Sequence, residues 1–419
     1  MYICTMNSKN LLITGGAGFI GSHVVNYFAD KYPDTRIIVV DALTYASNIH
    51  NIMEVNDFKV GWKENVLFIK SDIRDVEVIT NIFIRCEIDG VIHLAAESHV
   101  DNSIETPNIF VETNVMGTLN LLNAAKNYWG ENSPNRFYHI STDEVYGDLK
   151  MDEAPFTEMT PYNPSSPYSA SKASSDHFVR AYGRTFNMNY VISNCSNNYG
   201  PYQHKEKLIP VVINCLLEGK KIPVYGEGLN VRDWLWVGDH VKAIDTIFFN
   251  GRKGQTYNIG GDNEISNLKL IALIFDLYVE NYKEKFLNAY NFDEKNELVP
   301  NHIKYGIPSK FVTDRKGHDL RYAVNSNKLQ VELGWKPEKD FAEGMIETID
   351  YYLYLKTQGW IPLDEKEPKI GDLVWTKGDG LSKLYYFGEN SWSEDSDGYY
   401  IFVGGEDGIT HWKPYIYEK

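Results

Sequence analysis

The chain is short of cysteine, of positive charge and of long apolar runs. Its 419 residues hold four cysteines, Cys4, Cys86, Cys195 and Cys215, and none is in C-x-x-C spacing. That argues against a disulfide framework and a zinc module, so reduced thiols and no metal site are expected. Lys and Arg number 41 against 57 Asp and Glu, a net charge of −16 with pI near 5.2. A nucleic-acid-binding protein wants a basic face, so that class is set aside. A small anionic ligand needs only a few converging cations. No apolar run reaches the roughly 18 residues of a membrane span, and Met1-Tyr2-Ile3-Cys4-Thr5 is too short for a secretory signal. A cytoplasmic protein with no membrane partner is the expectation. What is present is globular: 43% hydrophobic residues, 29 of them Tyr, with length for two domains and a small appendage.

The N-terminal half alternates strand and helix. Asn10–Thr14 is a short apolar strand, and Gly15-Gly16-Ala17-Gly18-Phe19-Ile20-Gly21 leads from it into a helix carrying Val24, Val25 and Phe28. Glycines at 15, 18 and 21 let backbone N–H groups approach a pyrophosphate at the helix N-terminus. A second strand, Arg36–Val40, ends in Asp41, whose carboxylate can accept ribose hydroxyls and would repel a 2′-phosphate; this favours NAD over NADP. A third strand runs over 66–72; Asp72-Ile73 at its end could flank an adenine or simply cap the strand. Residues 75–87 read as a helix. Residues 90–96 read as a strand whose small Ala95-Ala96 would allow close approach of a dinucleotide. In the loop that follows, His99 is better read as a structural histidine than as an acid–base group. One amphipathic helix is expected from about Asn108 to Tyr128. The pattern predicts an α/β fold with a Rossmann-type, doubly wound parallel sheet.

Two further stretches carry chemistry. A buried strand, Phe137–Ile140, runs into Ser141-Thr142-Asp143-Glu144-Val145-Tyr146-Gly147. Two adjacent carboxylates and a hydroxyl thus stand at a strand's carboxyl end, where such sheets bind ligands. An acid–base elimination needs that pair: one group removes a proton and the other protonates a leaving hydroxyl. Downstream, Tyr168 and Lys172 lie four residues apart, on one helix face. A neighbouring ammonium and a nicotinamide cation would lower the phenol from its usual ~10 and let it take a proton from a sugar hydroxyl. After a sixth strand at 190–194, Lys207, Arg232 and Arg315 are the cations to expect on a diphosphate.

In this order the motifs resemble the extended short-chain dehydrogenase/reductase superfamily and, within it, the dTDP-glucose 4,6-dehydratases, over roughly residues 8–361. The likeness rests on Thr14–Gly21, Asp41–Ala46, Leu94–Asp101, Ser141–Gly147, Tyr168–Lys172, Asn197–Pro201, Val231–Trp234 and the Asp314–Asp319 loop. It implies an enzyme in deoxysugar biosynthesis with tightly bound NAD, which is not consumed. Tyr168, helped by Thr142 and Lys172, would take the glucose 4-hydroxyl proton as C4 is oxidised. Glu144 would take the C5 proton, and Asp143 would protonate the departing 6-hydroxyl. Gly15, Gly18, Phe19, Ile20, Gly21, Asp41, Asp72, Ile73, Ala95, Ala96, Tyr168 and Lys172 would hold the cofactor. Ser98, Thr142, Asn197, Lys207, Leu208, Tyr225, Arg232, Asn267, Arg315 and His318 would line the nucleotide-sugar site. The family also implies a homodimer, through the helix from about Asn108 and the helix of Lys172. Asn102 and Lys316 depart from the family pattern, which has Arg and Pro there.

The expected NAD domain is 6–196, with the chain returning to it near 233–262 and 320–335. A smaller α/β substrate domain takes 197–232 and 263–319, and 336–361 is a closing helix region. Residues 368–419, rich in aromatics and punctuated by glycine, read as a small all-β module with no assigned partner. Three rival readings remain: UDP-glucose as substrate, a nucleotide-sugar 4-epimerase, and an NAD-binding scaffold without catalysis. An epimerase has no use for the Asp143-Glu144 pair.

Overall fold

The computed structural model describes residues 9–52, 54–56, 59–61, 63–290, 306–314 and 317–357, together with strands Ile361–Pro362, Leu373–Gly378, Leu381–Gly388, Ser391–Glu394, Tyr400–Ile401 and Ile409–Pro414. Arg315 and Lys316 lie outside the described residues. A seven-stranded sheet organises the larger lobe. Its strands are β1 (Asn10–Thr14), β2 (Arg36–Asp41), β3 (Val66–Lys70), β4 (Gly90–His93), β5 (Arg136–Thr142), β6 (Asn189–Cys195) and β7 (Gln255–Ile259). The order is β7-β6-β5-β4-β1-β2-β3, and each neighbouring pair is parallel. Strand order reverses between β1 and β4, and the crevice over the carboxyl ends of those strands is where such sheets bind ligands.

Both faces of the sheet are covered, which is why its strands read as continuous apolar runs instead of alternating ones. Leu11, Ile13, Ile37, Val39 and Tyr138 pack under α1 (Phe19–Lys31) and the helix Val237–Asn250. Leu12, Ile38, Val40, Val91 and Phe137 pack under α2 (Val76–Arg85), α3 (Thr118–Trp129) and α4 (Pro167–Phe186). Each fully buried aliphatic side chain contributes roughly 1.5–3 kcal/mol.

The single helix expected from Asn108 to Tyr128 is instead three segments: Pro107–Phe110, a π-helical stretch Val111–Gly117, and α3. The Asn114 carbonyl explains the widening. It accepts from the hydroxyls of Thr118 (2.5 Å) and Ser175 (2.7 Å), which compete with the regular helical donor. Such bulges often sit beside functional sites.

The smaller lobe has its own core, built from Ile209, Val212 and Ile213 of α5 (Leu208–Leu217), Ile271, Ile274 and Phe275 of α7 (Asn267–Tyr290), and Met345 and Ile349 of α8 (Phe341–Thr357); α6 is the helix Val237–Asn250 named above. Strands Ile222–Tyr225 and Ser309–Val312 pair in parallel at its edge. Beyond α8, the C-terminal strands form a six-stranded, mostly antiparallel sheet. It includes two strands, Ile361–Pro362 and Ser391–Glu394, that the sequence pattern did not single out.

Candidate active site

A cleft of about 340 Å³ runs along the carboxyl ends of the strands, from the glycine turn after β1 to the loop after β5. At the first end, Gly15 has φ +70, and a Cβ there would lie 2.7 Å from the backbone of Ala95. Only glycine permits that turn and that approach. A Cβ on Gly21 would fall 2.0 Å from the Gly15 carbonyl oxygen, so the third glycine lets α1 pack onto the turn. Gly18 stands at the N-cap of α1 without a side-chain cap, so the first-turn N–H groups are left to face the cleft.

Asp41 is buried at the end of β2. It accepts from the Ala17 N–H (3.0 Å), the Leu43 N–H (2.8 Å) and the Ser47 hydroxyl (2.8 Å). A carboxylate offers about four acceptor positions, so these donors orient it and leave room for a ribose hydroxyl. Phe19, Ile20, Asp72, Ile73, Ala95 and Ala96 line the same end. Asp72 is gripped by Arg74, whose Nη2 is 2.7 Å from Oδ2. Burial pushes the carboxyl up, but hydrogen bonds and charge from Arg74 outweigh it and leave it below the usual range. The glycine cradle, the uncapped helix end and the oriented carboxylate fit a dinucleotide.

At the other end Thr142, the last residue of β5, caps a short turn, Asp143–Tyr146. Its hydroxyl accepts from the Glu144 N–H at 3.3 Å and donates to Asp143 Oδ1 at 3.3 Å. Gly147 closes the turn with φ +94, where a Cβ would strike the Asn163 carbonyl at 2.4 Å. Asp143 is buried, and its Oδ2 has no hydrogen-bond partner among the described residues. Burial, then the charges of Glu144 and Asp233, hold its carboxyl well above the usual carboxylate range. Glu144 is half-buried and lines the cleft beside it. Two adjacent carboxyls are thus in different settings, one of them pushed towards its protonated form. An acid–base pair requires that.

Helix α4 brings Tyr168 and Lys172 to the same wall. It starts sharply because Ser166 and Ser169 form a capping box and Pro167 occupies the first helical position. The expected lowering of Tyr168 is not found in the protein by itself. Burial, then the charge of Glu144, raise its phenol well above the ordinary value, and the Thr142 hydroxyl pulls only weakly the other way. The reason is geometric: Lys172 Nζ donates to the Ile140 carbonyl at 2.9 Å, and the phenol packs edge-on to Phe110. Burial lowers the Lys172 ammonium to about 8, with Asp176 opposing the fall. The remaining compensation for a phenolate has to come from a cationic ring in the cleft.

The expected substrate residues divide into two groups. Ser98, Thr142, Asn197 and Lys207 line the cleft, and Lys207 Nζ reaches the Ser98 carbonyl at 3.4 Å. Tyr225, Arg232, Asn267 and His318 do not line it; they gather around the 225–230 loop. Tyr225 ends a strand paired with Ser309–Val312, the Asn267 N–H donates to the Asn230 carbonyl, and His318 Nδ1 is 2.6 Å from Asp314. Leu208 is the first residue of α5, packed against the small lobe's core. Arg232 was expected on a diphosphate. In the protein by itself its guanidinium donates to the carbonyls of Val231 (2.8 Å) and Asp319 (2.9 Å) and lies over the Tyr322 ring at 4.3 Å. The Asn267 Oδ1 is buried and unpartnered among the described residues.

His99 Nδ1 caps the helix Val100–Glu105 by accepting from the Asn102 N–H, and the residue also lines the cleft. Sequence reasoning missed three residues at the site. Asn114 bonds both backbone groups of Glu97 (2.8 and 3.0 Å) and so fixes the loop that carries Ser98. Gln203 lines the cleft with a buried Oε1 that has no partner among the described residues. Cys195 ends β6 at the cleft, its thiol pushed up to about 12 by burial and then by Asp143. None has a local motif; only the tertiary fold brings them together.

Comparison with known proteins agrees with this geometry. The family model for GDP-mannose 4,6 dehydratase matches residues 12–348. A dTDP-glucose 4,6-dehydratase of Shigella flexneri is 47% identical over 356 residues, covering 82% of this chain and 92% of that protein. A dTDP-glucose 4,6-dehydratase from Streptomyces venezuelae, solved with NAD bound, superposes with a TM-score of 0.70 at 40% identity, covering 83% of this chain and 98% of that one. A UDP-glucose 4-epimerase from Thermotoga maritima has the same fold, with a TM-score of 0.68 and coverage of 83% and 99%, but only 27% identity.

Proposed function

The chain belongs to the dTDP-glucose 4,6-dehydratase family, and from that premise we propose that it converts dTDP-glucose into dTDP-4-keto-6-deoxyglucose with NAD held in the cleft. The observation that carries the reading is the Asp143-Glu144 pair: a buried carboxyl whose proton is favoured by burial and neighbouring charge, beside a second carboxyl, facing the same cleft as Tyr168 and Lys172. The glycine turn, Asp41 and the Tyr168–Lys172 wall would hold NAD, which would supply a hydride acceptor for C4 and a hydride donor for C6. Tyr168 takes the proton of the C4 hydroxyl, with the Thr142 hydroxyl steadying the phenolate and the Lys172 ammonium offsetting its charge. Once C4 is a ketone, the C5 hydrogen is acidic, and Glu144 removes it. Asp143 gives its proton to the 6-hydroxyl, which leaves as water. Glu144 returns its proton to C5 as C6 is reduced. The proton Tyr168 takes balances the one Asp143 gives.

Ser98, Asn197 and Lys207 serve the sugar and phosphate end of the substrate. Tyr225, Arg232, Asn267 and His318 serve its nucleoside end, where the buried Asn267 Oδ1 has no partner among the described residues. A homodimer goes with this reading: Ile104, Val111, Met116 and Phe178 are apolar yet 38–51% exposed, on the segment 100–117 and on α4. A cytoplasmic location goes with it too; among the described residues no helix is long and apolar enough to cross a membrane.

Purified protein given dTDP-, UDP-, CDP- and GDP-glucose in parallel should form a 4-keto-6-deoxy product fastest from the dTDP sugar, without net NADH accumulation. Conversion to the galactose epimer would overturn the dehydratase reading, and preference for the UDP sugar would overturn the base assignment.

A further inference from the structure

One face of α4 carries Tyr168, Lys172, Asp176 and Arg180 at every fourth position, a row of phenol, ammonium, carboxylate and guanidinium running from the cleft into the interior. The first two belong to the mechanism above. Asp176 does not, yet its carboxylate is fully buried. It accepts from the Tyr162 hydroxyl at 2.7 Å and the Ser141 hydroxyl at 3.0 Å, both on Oδ2. His139 Nε2 stands 3.2 Å from Oδ1, off the line of a hydrogen bond. Arg180 closes the row through the Tyr162 hydroxyl, to which it donates at 2.8 Å.

Isolated buried carboxylates are costly and are kept only where other groups depend on their charge or hydrogen bonds. Two groups depend on this one. Ser141 and Ile140 are the residues of β5 immediately before Thr142. Ser141 is tied to Asp176, and the Ile140 carbonyl to Lys172, so two adjacent points of the helix hold the root of the catalytic turn. Lys172 is the other. The titratable groups around it are Tyr168 and Asp176 on its own helix, His139 on β5, His93 on β4 and Cys195 on β6. Burial keeps both histidines neutral, His139 at about 4 and His93 well below its usual value, and keeps the Cys195 thiol protonated. Of these groups Asp176 alone is charged near neutral pH. Burial pushes its carboxyl up, but His139, Lys172 and Tyr162 together bring it below the usual range.

We propose that Asp176 is a positioning residue of the reaction: its buried carboxylate keeps the Lys172 ammonium charged beside Tyr168 and ties the Thr142-Asp143-Glu144 turn to α4 through Ser141. The proposal rests on the dehydratase reading, in which Lys172 must be protonated for C4 oxidation.

The test follows C4 oxidation in a single turnover against pH, a step that does not use the Asp143 proton. In Asp176→Asn the alkaline limb should move down by about one pH unit, the size of shift one nearby opposite charge produces, and the rate should recover to within a few-fold of wild type below it. Ser141→Ala should lower the plateau and leave the limb in place. A second readout needs no turnover. Lys172 has a depressed folded pKa, so it adds stability as pH rises from that value towards the unfolded ~10.4. In Asp176→Asn that rise should begin about one unit lower, and the denaturation midpoint of the variant relative to wild type should climb between about pH 7 and 8. If Asp176→Asn does not fold, Tyr162→Phe removes one donor and leaves the charge; the less solvated carboxylate should hold Lys172 more firmly and move the limb up. A limb that stays put in the folded variant overturns the proposal. Absence of C4 oxidation in wild type at every pH would instead overturn the dehydratase reading.

Discussion

Asp143 and Glu144 differ by one position and do different work because of where their oxygens end. Asp143 is turned inward, where burial and its neighbours favour the protonated form. A group with a raised pKa holds its proton up to that pKa, so the acid function is present at lower pH and is lost as pH rises through it. Asp143→Asn should cut overall turnover by roughly 10²–10⁴-fold, the usual worth of a positioned general acid. C4 oxidation should survive, and enzyme-bound reduced cofactor should accumulate in a stopped-flow trace. Unchanged turnover would remove Asp143 from the mechanism. The identity of these two residues could be read along the chain. Their division of labour could not, because the electrostatic causes include Asp233 and Arg232, about ninety residues away.

At the scale of elements, the glycine turn shows how local sequence and distant packing meet. The strand–turn–helix could be read from Asn10 to Phe28 alone. That Gly15 presses on Ala95 and Gly21 on Gly15 is visible only in the fold. Gly21→Ala should therefore shift the turn against α1, costing about 1–3 kcal/mol of packing. NAD affinity, measured by calorimetry on stripped protein, should fall about tenfold or more, since each 1.4 kcal/mol is one decade. Affinity equal to wild type would mean that the turn relaxes freely. The segment 107–129 teaches the converse. Its apolar spacing is helical and predicted one helix, but the Thr118 and Ser175 hydroxyls draw off the Asn114 carbonyl, and a π-helical stretch results. Ser175 lies on another helix, so no window of local sequence contains the cause.

At the scale of the whole molecule, the described lining of the cleft belongs to the two lobes that precede the C-terminal strands. Among the described residues its lining runs from Gly15 to Lys207, and none comes from beyond α8. A chain ended after Pro362 should keep most of its turnover of dTDP-glucose and the same mass per particle by light scattering as the full chain, since the exposed apolar residues of 100–117 and α4 are untouched. Loss of activity in a folded, soluble truncation would mean that the terminal sheet supports the site. The sequence by itself determined the parallel α/β architecture, through apolar runs of strand length alternating with helical spacing. It also determined the chemical repertoire, through Thr142-Asp143-Glu144, Tyr168 and Lys172. The tertiary structure decided which of those groups burial pushes towards its protonated form, which carbonyls the Arg232 guanidinium meets, and that Asp176 stands behind Lys172. Burial and charge act through space on groups that the chain keeps far apart, and the order of residues does not record those distances.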